Sequence, residues 1–305
     1  MTAIILDCDP GIDDALAITF AAGHPDIELA GITSVAGNVA LPKTTRNALA
    51  VAEFVGAGSV PVTAGASGPL LRTAYDARLV HGETGLGGAV LPEPSRAAEP
   101  GHAADFIADT LAARPGEITL VATGPLTNIA LAVKREPRIT EWARSFAIMG
   151  GSTGRGNVTP AAEFNIWVDP EAAAIVFDAG WTVHMIGLDI TLLARATPDV
   201  QQKMTSLGDL GSRLLLPALS QYNAPNEGAG PAVHDVCAVV YLAEPALFGM
   251  RPGKVNVETA GRWSSGMTVT DFDAGDPNAS VGMELDTDGF WSLVLDTYAR
   301  IPAAR

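Results

Sequence analysis

Residues 7–14 read Asp-Cys-Asp-Pro-Gly-Ile-Asp-Asp, four carboxylates in eight residues between one apolar run and the next. Carboxylates this close repel one another and resist ionisation unless positive charge sits among them, and a hard divalent cation with oxygen ligands answers that most simply. Asp13 and Asp14 would also suit the first turn of a helix, where backbone N–H groups attract negative charge. That alternative leaves Asp7 and Asp9 unexplained, because they close a strand. An EF-hand loop beginning at Asp7 would need a bidentate acid where Ile18 stands, and Pro10-Gly11 breaks its spacing. A haloacid-dehalogenase-type phosphatase also sets Asp-x-Asp at a strand end, with one Asp as nucleophile, but it usually carries Thr or Val where this chain has Pro10.

Other polar side chains follow other apolar runs. Asn38 closes Val-Ala-Gly-Asn, Thr123 opens Thr-Gly-Pro-Leu-Thr-Asn, and Asn157, Glu163 and Asn165 come after Ile-Met-Gly-Gly. Taken singly, each Asn suits a helix cap or a turn. Gathered at the carboxyl ends of parallel strands, where open α/β sheets bind ligands, such amides and carboxylates match hydroxyls that both donate and accept. A polyol or sugar is the implied ligand. His234-Asp235 opens an apolar helix at 236–242. Asp235 reads either as a helix cap or as a further metal ligand, and His234 either as a surface residue or as a group facing a leaving group. His81, in Val-His-Gly-Glu-Thr-Gly-Leu-Gly, is a second candidate, whereas His24, His102 and His184 lack comparable context and are expected to be structural.

Holding these groups in place falls to alternating strands and helices. Apolar, β-rich runs predict strands at 3–6, 29–35, 60–63, 118–121, 145–149 and 183–188, and amphipathic stretches predict helices at 13–22, 42–55, 103–112, 128–135 and 170–178. After Pro198 come three helical segments, strand-like runs at 254–258, 267–272 and 281–285 that are expected to form an antiparallel edge or hairpin, and a helix at 289–300. The Gly- and Pro-rich stretch 223–231 predicts a loop. The expected architecture is α/β: an open, mostly parallel, Rossmann-like sheet flanked by helices, with additional C-terminal helices, in one domain over 1–305.

Composition agrees with that frame. A chain of 305 residues, 48% hydrophobic, can bury a large core. Its longest apolar runs, at 3–6 and 236–242, fall far short of the roughly 20 residues that span a bilayer. The start of the chain shows neither a basic flank nor a small-residue cleavage site, so cytoplasmic residence is expected. Cys8 and Cys237 lie outside any metal-binding spacing and read as reduced core residues. With 19 basic and 34 acidic residues the net charge is −15, and no Lys/Arg run is present, which argues against a nucleic-acid polymer and for a small neutral or cationic ligand.

In order and spacing the motifs resemble the inosine-uridine preferring nucleoside hydrolases: the opening acidic run, then Val-Ala-Gly-Asn, His-Gly-Glu, Thr-Gly-Pro-Leu-Thr-Asn, Met-Gly-Gly, Ala-Glu-Phe-Asn-Ile, Asp-Pro-Glu-Ala-Ala and Val-His-Asp. The likeness covers essentially the whole chain, and the acidic run is its most specific part. It implies a calcium-dependent enzyme of purine and pyrimidine salvage and nucleoside catabolism, a homodimer or homotetramer that splits a ribonucleoside into ribose and free base. By the same resemblance Asp9, Asp14, Asp235 and the main-chain carbonyl of Thr123 ligate Ca2+, with water and two ribose hydroxyls completing the shell. Asp9 also serves as general base; Asp13, Asn38, Asn157, Glu163 and Asn165 hold the ribose; and Asp7 supports the ligands from behind. His81, Tyr222 and His234 face the nucleobase, with His234 the candidate acid for the departing base. The stretch 223–231 departs from better-known members, with Gly and Pro where they carry bulkier residues. Hydrolysis of this bond passes through an oxocarbenium-like ribosyl group, so carboxylates beside the sugar and a base for water suit it. A magnesium-dependent phosphatase forming a phosphoenzyme, and a non-catalytic sugar-binding protein, stand as alternatives.

Overall fold

A computed structural model describes residues 1–222 and 230–302. Most of the predicted loop at 223–231 therefore lies outside the described residues. The first apolar run becomes β1 (Thr2–Cys8), buried on both faces from Ala3 onward, as a central strand of a parallel sheet must be. Side chains alternate across a strand, so Ile4, Leu6 and Cys8 enter one core while Ala3 and Ile5 enter the other. Asp7 follows Ala3 and Ile5 to that second face.

The remaining strands are β2 (Ile27–Ser34), β3 (Val62–Ala64), β4 (Ile118–Ala122), β5 (Ser145–Met149), β6 (Val183–Ile186), β7 (Phe248–Val257), β8 (Thr268–Asp271) and β9 (Ala279–Leu285). Among the described residues they form one nine-stranded sheet in the order β3-β2-β1-β4-β5-β6-β9-β7-β8. β1 pairs in parallel with β2 on one side and β4 on the other. The chain thus changes direction across the sheet at β1, and the loops after β1 and β4 part there to leave a crevice at their carboxyl ends. Helices Ile12–Gly23, Leu41–Phe54, Asp235–Ala243 and Thr287–Tyr298 cover one face. Helices Ala103–Ala113, Thr127–Arg135 and Pro170–Phe177 cover the other.

The late strands differ in part from the expected edge. β7 is antiparallel to β8 and to β9, but β9 itself lies parallel to β6 and extends the main sheet. Its Ala279 and Val281 are buried in the second core, which favours that inner place. Single-turn helices such as Arg78–His81, Phe164–Val168 and Leu188–Thr191 are too short to show a helical period in sequence. Among the described residues no helix is long and apolar enough to cross a membrane.

Because Leu6 is fully buried at the centre of the sheet, Leu6→Ala should leave a cavity and lower the unfolding free energy by about 2–5 kcal/mol. The measurement is the urea midpoint at unchanged slope, and a loss under about 1 kcal/mol would contradict this packing.

Candidate active site

Two helices begin at the crevice. Ile12–Gly23 carries Asp13 and Asp14 in its first turn, and Asp235–Ala243 opens with Asp235. Their N-terminal N–H groups favour negative charge at this spot. Carboxylate oxygens of Asp13, Asp14 and Asp235 converge within 4.8 Å of one another, all three residues being buried. Hydrogen bonds fix Asp14 closely: one oxygen accepts from the Gly11 N–H at 2.9 Å and the Asn38 side-chain amide at 3.0 Å, the other from the Thr123 hydroxyl at 2.9 Å. Asp9 accepts the Asn38 backbone N–H at 2.7 Å through Oδ2, while its buried Oδ1 has no hydrogen-bond partner. Gly37 and Gly124 press against the Asp9 carboxylate, and a Cβ on Gly124 would stand 2.7 Å from Oδ1, so only glycine fits there.

Asp13, Asn38, Thr123, Asn157, Glu163, Asn165 and Asp235 line a cavity of about 850 Å³. The amides are oriented by what they donate to. Asn38 directs its NH2 to the Asp9 carbonyl and to Asp14, and Asn165 directs its NH2 to the carbonyls of Thr123 and Met149 at 2.8 and 3.0 Å. Each therefore keeps its amide oxygen as an acceptor. Asn157 does the reverse, accepting the Phe164 N–H at 2.9 Å and leaving its NH2 to donate. Glu163 caps the short helix at 164–168, accepting from the N–H groups of Gly151, Asn165 and Ile166.

His81, Tyr222 and His234 line the same cavity. The His81 Nδ1 accepts the Ile12 N–H at 3.1 Å, which puts its proton on Nε2, and its ring meets Tyr222 edge-on with centroids 5.9 Å apart. Gly11 makes room for this, since a Cβ there would come within 2.5 Å of that nitrogen. The His234 Nδ1 lies 2.8 Å from the Thr191 hydroxyl. Burial lowers the pKa of both imidazoles. Burial also raises the Tyr222 phenol, with Asp13 adding to the effect.

Asp7 stands apart from the cavity. Its side chain accepts from Thr33 at 2.5 Å and Asn128 at 2.8 Å, and its carbonyl accepts the Thr123 N–H at 2.8 Å. Sequence reasoning named neither Thr33 nor Asn128, which hold that carboxylate. It also missed Arg195, Gln221, Phe164 and Tyr75 on the cavity wall. Asp13, expected at the sugar, also converges with Asp14 and Asp235, and Asp9 adjoins the three through Asn38.

Removal from water raises these acids. Asp14 and Glu163 are pushed up to about 7, first by burial, and burial likewise raises Asp9 and Asp235 well above the usual carboxylate range, with neighbouring carboxylates adding repulsion. None of these acids belongs to an ion pair among the described residues. An orphaned carboxylate oxygen, an all-oxygen donor set and no compensating side-chain cation fit a hard divalent metal ion.

Known proteins share this chain's sequence and fold. Residues 4–292 match the family described as inosine-uridine preferring nucleoside hydrolase. The chain is 45% identical to an inosine-uridine preferring nucleoside hydrolase of Leishmania major over 98% of each chain, and 45% identical to a non-specific ribonucleoside hydrolase of Salmonella typhi, again over 98% of each. A purine-preferring ribonucleoside hydrolase from Gardnerella vaginalis superposes with a TM-score of 0.92 at 33% identity, covering 98% of this chain and 99% of that one.

The raised acids make stability depend on pH. Folded Asp14 and Glu163 hold protons up to about 7, whereas unfolded carboxyls release them near about 4. The folded state thus binds more protons across that window, and the stability of metal-free protein should fall as pH rises from about 4 to about 7. Melting temperatures taken with chelator present should drop between about pH 5 and pH 7, and calcium should restore them at the upper end; a rise over that interval would contradict the burial of unpaired carboxylates.

Proposed function

The chain belongs to the inosine-uridine preferring nucleoside hydrolase family, and from that premise we propose how it cleaves the N-glycosidic bond of ribonucleosides: water attacks C1′ with Asp9 as general base, assisted by calcium. The observation that carries this reading is the meeting, in one cavity, of a buried carboxylate cluster with amides poised for hydroxyls. Asp9, Asp14, Asp235 and the Thr123 carbonyl would hold the ion, with the convergence of Asp13 on Asp14 and Asp235 adding a further oxygen beside it. Bound there, calcium would neutralise the clustered charge and supply a Lewis acid that orients ribose hydroxyls.

The side chains account for the rest. Asp9 keeps one oxygen free of hydrogen bonds, so it can take a proton from water as the C1′–N bond breaks. Amide oxygens of Asn38 and Asn165 accept from ribose hydroxyls and the Asn157 amide donates to one; Glu163, braced by three backbone N–H groups, and Asp13 complete the sugar contacts. Asp7 anchors the strand carrying Thr123 through that residue's N–H. His81 and Tyr222 border the nucleobase, and His234 donates to it as it leaves. The phosphatase and sugar-binding alternatives are not favoured by the family and relatives this chain matches, and Asp7, the first acid of Asp-x-Asp, is buried with one oxygen held by Thr33 and Asn128. We read residues 1–305 as one hydrolase domain, a cytoplasmic homodimer or homotetramer; the two buried, unbridged cysteines suit a reducing compartment.

Chromatography of a ribonucleoside panel tests the function, and free base should appear only with metal present. Asp9→Asn keeps the side chain's shape but removes the proton acceptor, so kcat should fall at least about 10²-fold, and wild-type turnover would exclude Asp9 as base. His234→Ala should slow inosine far more than p-nitrophenyl riboside, whose leaving group needs no protonation. Equal slowing of the two substrates would mean that His234 shapes the pocket and does not assist departure.

A further inference from the structure

Arg195 is a half-buried cation on the cavity wall with no carboxylate partner among the described residues. Its position is tightly defined. The segments 194–196 and 231–233 run antiparallel, joined by the Val233 N–H to the Ala194 carbonyl at 2.9 Å and the Ala196 N–H to the Pro231 carbonyl at 2.8 Å. Arg195 pairs with Ala232, two residues before His234, so both side chains belong to the same wall. The guanidinium itself donates from Nε to the Leu192 carbonyl at 3.1 Å and from Nη1 to the Gly230 carbonyl at 3.2 Å. Of the five N–H donors a guanidinium carries, these bonds use two and leave three.

Building this group is costly unless something electron-rich meets it. A cation held by neutral carbonyls in a partly buried wall lacks the charge partner that ordinarily offsets its desolvation. Neighbouring His234 was assigned above to the nucleobase side, so the base is the part of the substrate that Arg195 adjoins. We infer that Arg195 is a specificity-determining residue that donates to an exocyclic oxo oxygen of the nucleobase, as in hypoxanthine or uracil. An exocyclic amino group at that place presents N–H donors and would leave the guanidinium facing a donor. As the C1′–N bond breaks, the electron pair passes to the base and charge spreads onto the oxo oxygen. The bond to Arg195 then strengthens, so its contribution appears mainly in kcat.

This inference rests on the reading of the cavity as a nucleoside site, and the test separates the two. The kcat and KM of inosine, adenosine, purine riboside and p-nitrophenyl riboside are compared for wild type and Arg195→Met, which keeps length but loses charge and donors. Wild type should favour inosine over purine riboside, which lacks the exocyclic group. In Arg195→Met, kcat for inosine should fall by about 10- to 100-fold while the other three substrates change less than about threefold. Ratios taken within one preparation cancel any difference in folded fraction. Equal losses on all substrates, or an unchanged inosine preference, would overturn the assignment. If Arg195→Met gives no folded protein, Arg195→Lys decides, since it keeps the charge but loses the fork: the inosine to purine riboside ratio should fall by at least about threefold, and an unchanged ratio overturns the proposal. Absence of base release by wild type from every nucleoside would instead refute the nucleoside-site reading.

Discussion

Four carboxylates brought into one buried place cannot all stay ionised without compensation, and much of the local structure answers that demand. Asp9, Asp13, Asp14 and Asp235 gather where two helices begin, so helix N-termini rather than basic side chains meet them first. Backbone and side-chain donors follow: the Gly11 and Asn38 N–H groups, the Asn38 amide and the Thr123 hydroxyl. These bonds orient the acids but do not neutralise them, and burial still holds Asp9, Asp14 and Asp235 well above the usual carboxylate range. A site built this way is stable when protonated or when a cation enters. Folding and metal affinity are thereby coupled through the same oxygens.

One strand supplies both halves of the arrangement. Alternation along β1 sends Asp7 toward Asn128 on the second layer, where it braces Thr33 and, through its carbonyl, Thr123. The chain then leaves the sheet, and the Asp9 carboxylate lies buried between Gly37, after β2, and Gly124, after β4. Close backbone approach does the rest, since Gly37 and Gly124 leave the Asp9 carboxylate almost no freedom. A substitution at either glycine would act on the acid's position without touching its chemistry.

Which parts of this were legible in sequence follows from range. β1, β5 and the helices at 12–23 and 170–177 depend on local pattern, and their predicted bounds lie within two residues of those observed. The placement of β9 beside β6 depends on a long-range choice of neighbour that a seven-residue pattern cannot encode. The same holds inside the site. Asp9, Asp14 and Asp235 stand in recognisable motifs, and the cavity wall also gathers Asn38, Asn157, Glu163 and Asn165. The company Asp13 keeps was not legible, because one-residue neighbours on a helix ordinarily face different ways and only the fold shows that both Asp13 and Asp14 meet Asp235. Arg195 carried no signal at all: a lone arginine in Leu-Leu-Ala-Arg-Ala-Thr looks like a surface residue until the segment 231–233 is laid against it.

Acids and Arg195 line the cavity, and charges of both signs suit the reaction proposed for it. On the proposed reading, the carboxylates would face the ribosyl group as it gains positive character, and Arg195 with the His234 imidazole, which line the same cavity, would face the base as it gathers electrons. Breaking the glycosidic bond separates charge along that same direction, so a fixed field of this sign favours the transition state over the neutral nucleoside. The field requires little reorganisation as the bond breaks, because each pole is held beforehand: the acids by helix starts and amide donors, the guanidinium by the Leu192 and Gly230 carbonyls. Carbonyl anchors suit the second pole better than a carboxylate would. An acid paired to Arg195 would cancel the positive end and leave the departing base facing a neutral wall. On this reading, the cost of burying charge that has no ion-pair partner among the described residues would be the source of the field that drives the bond apart.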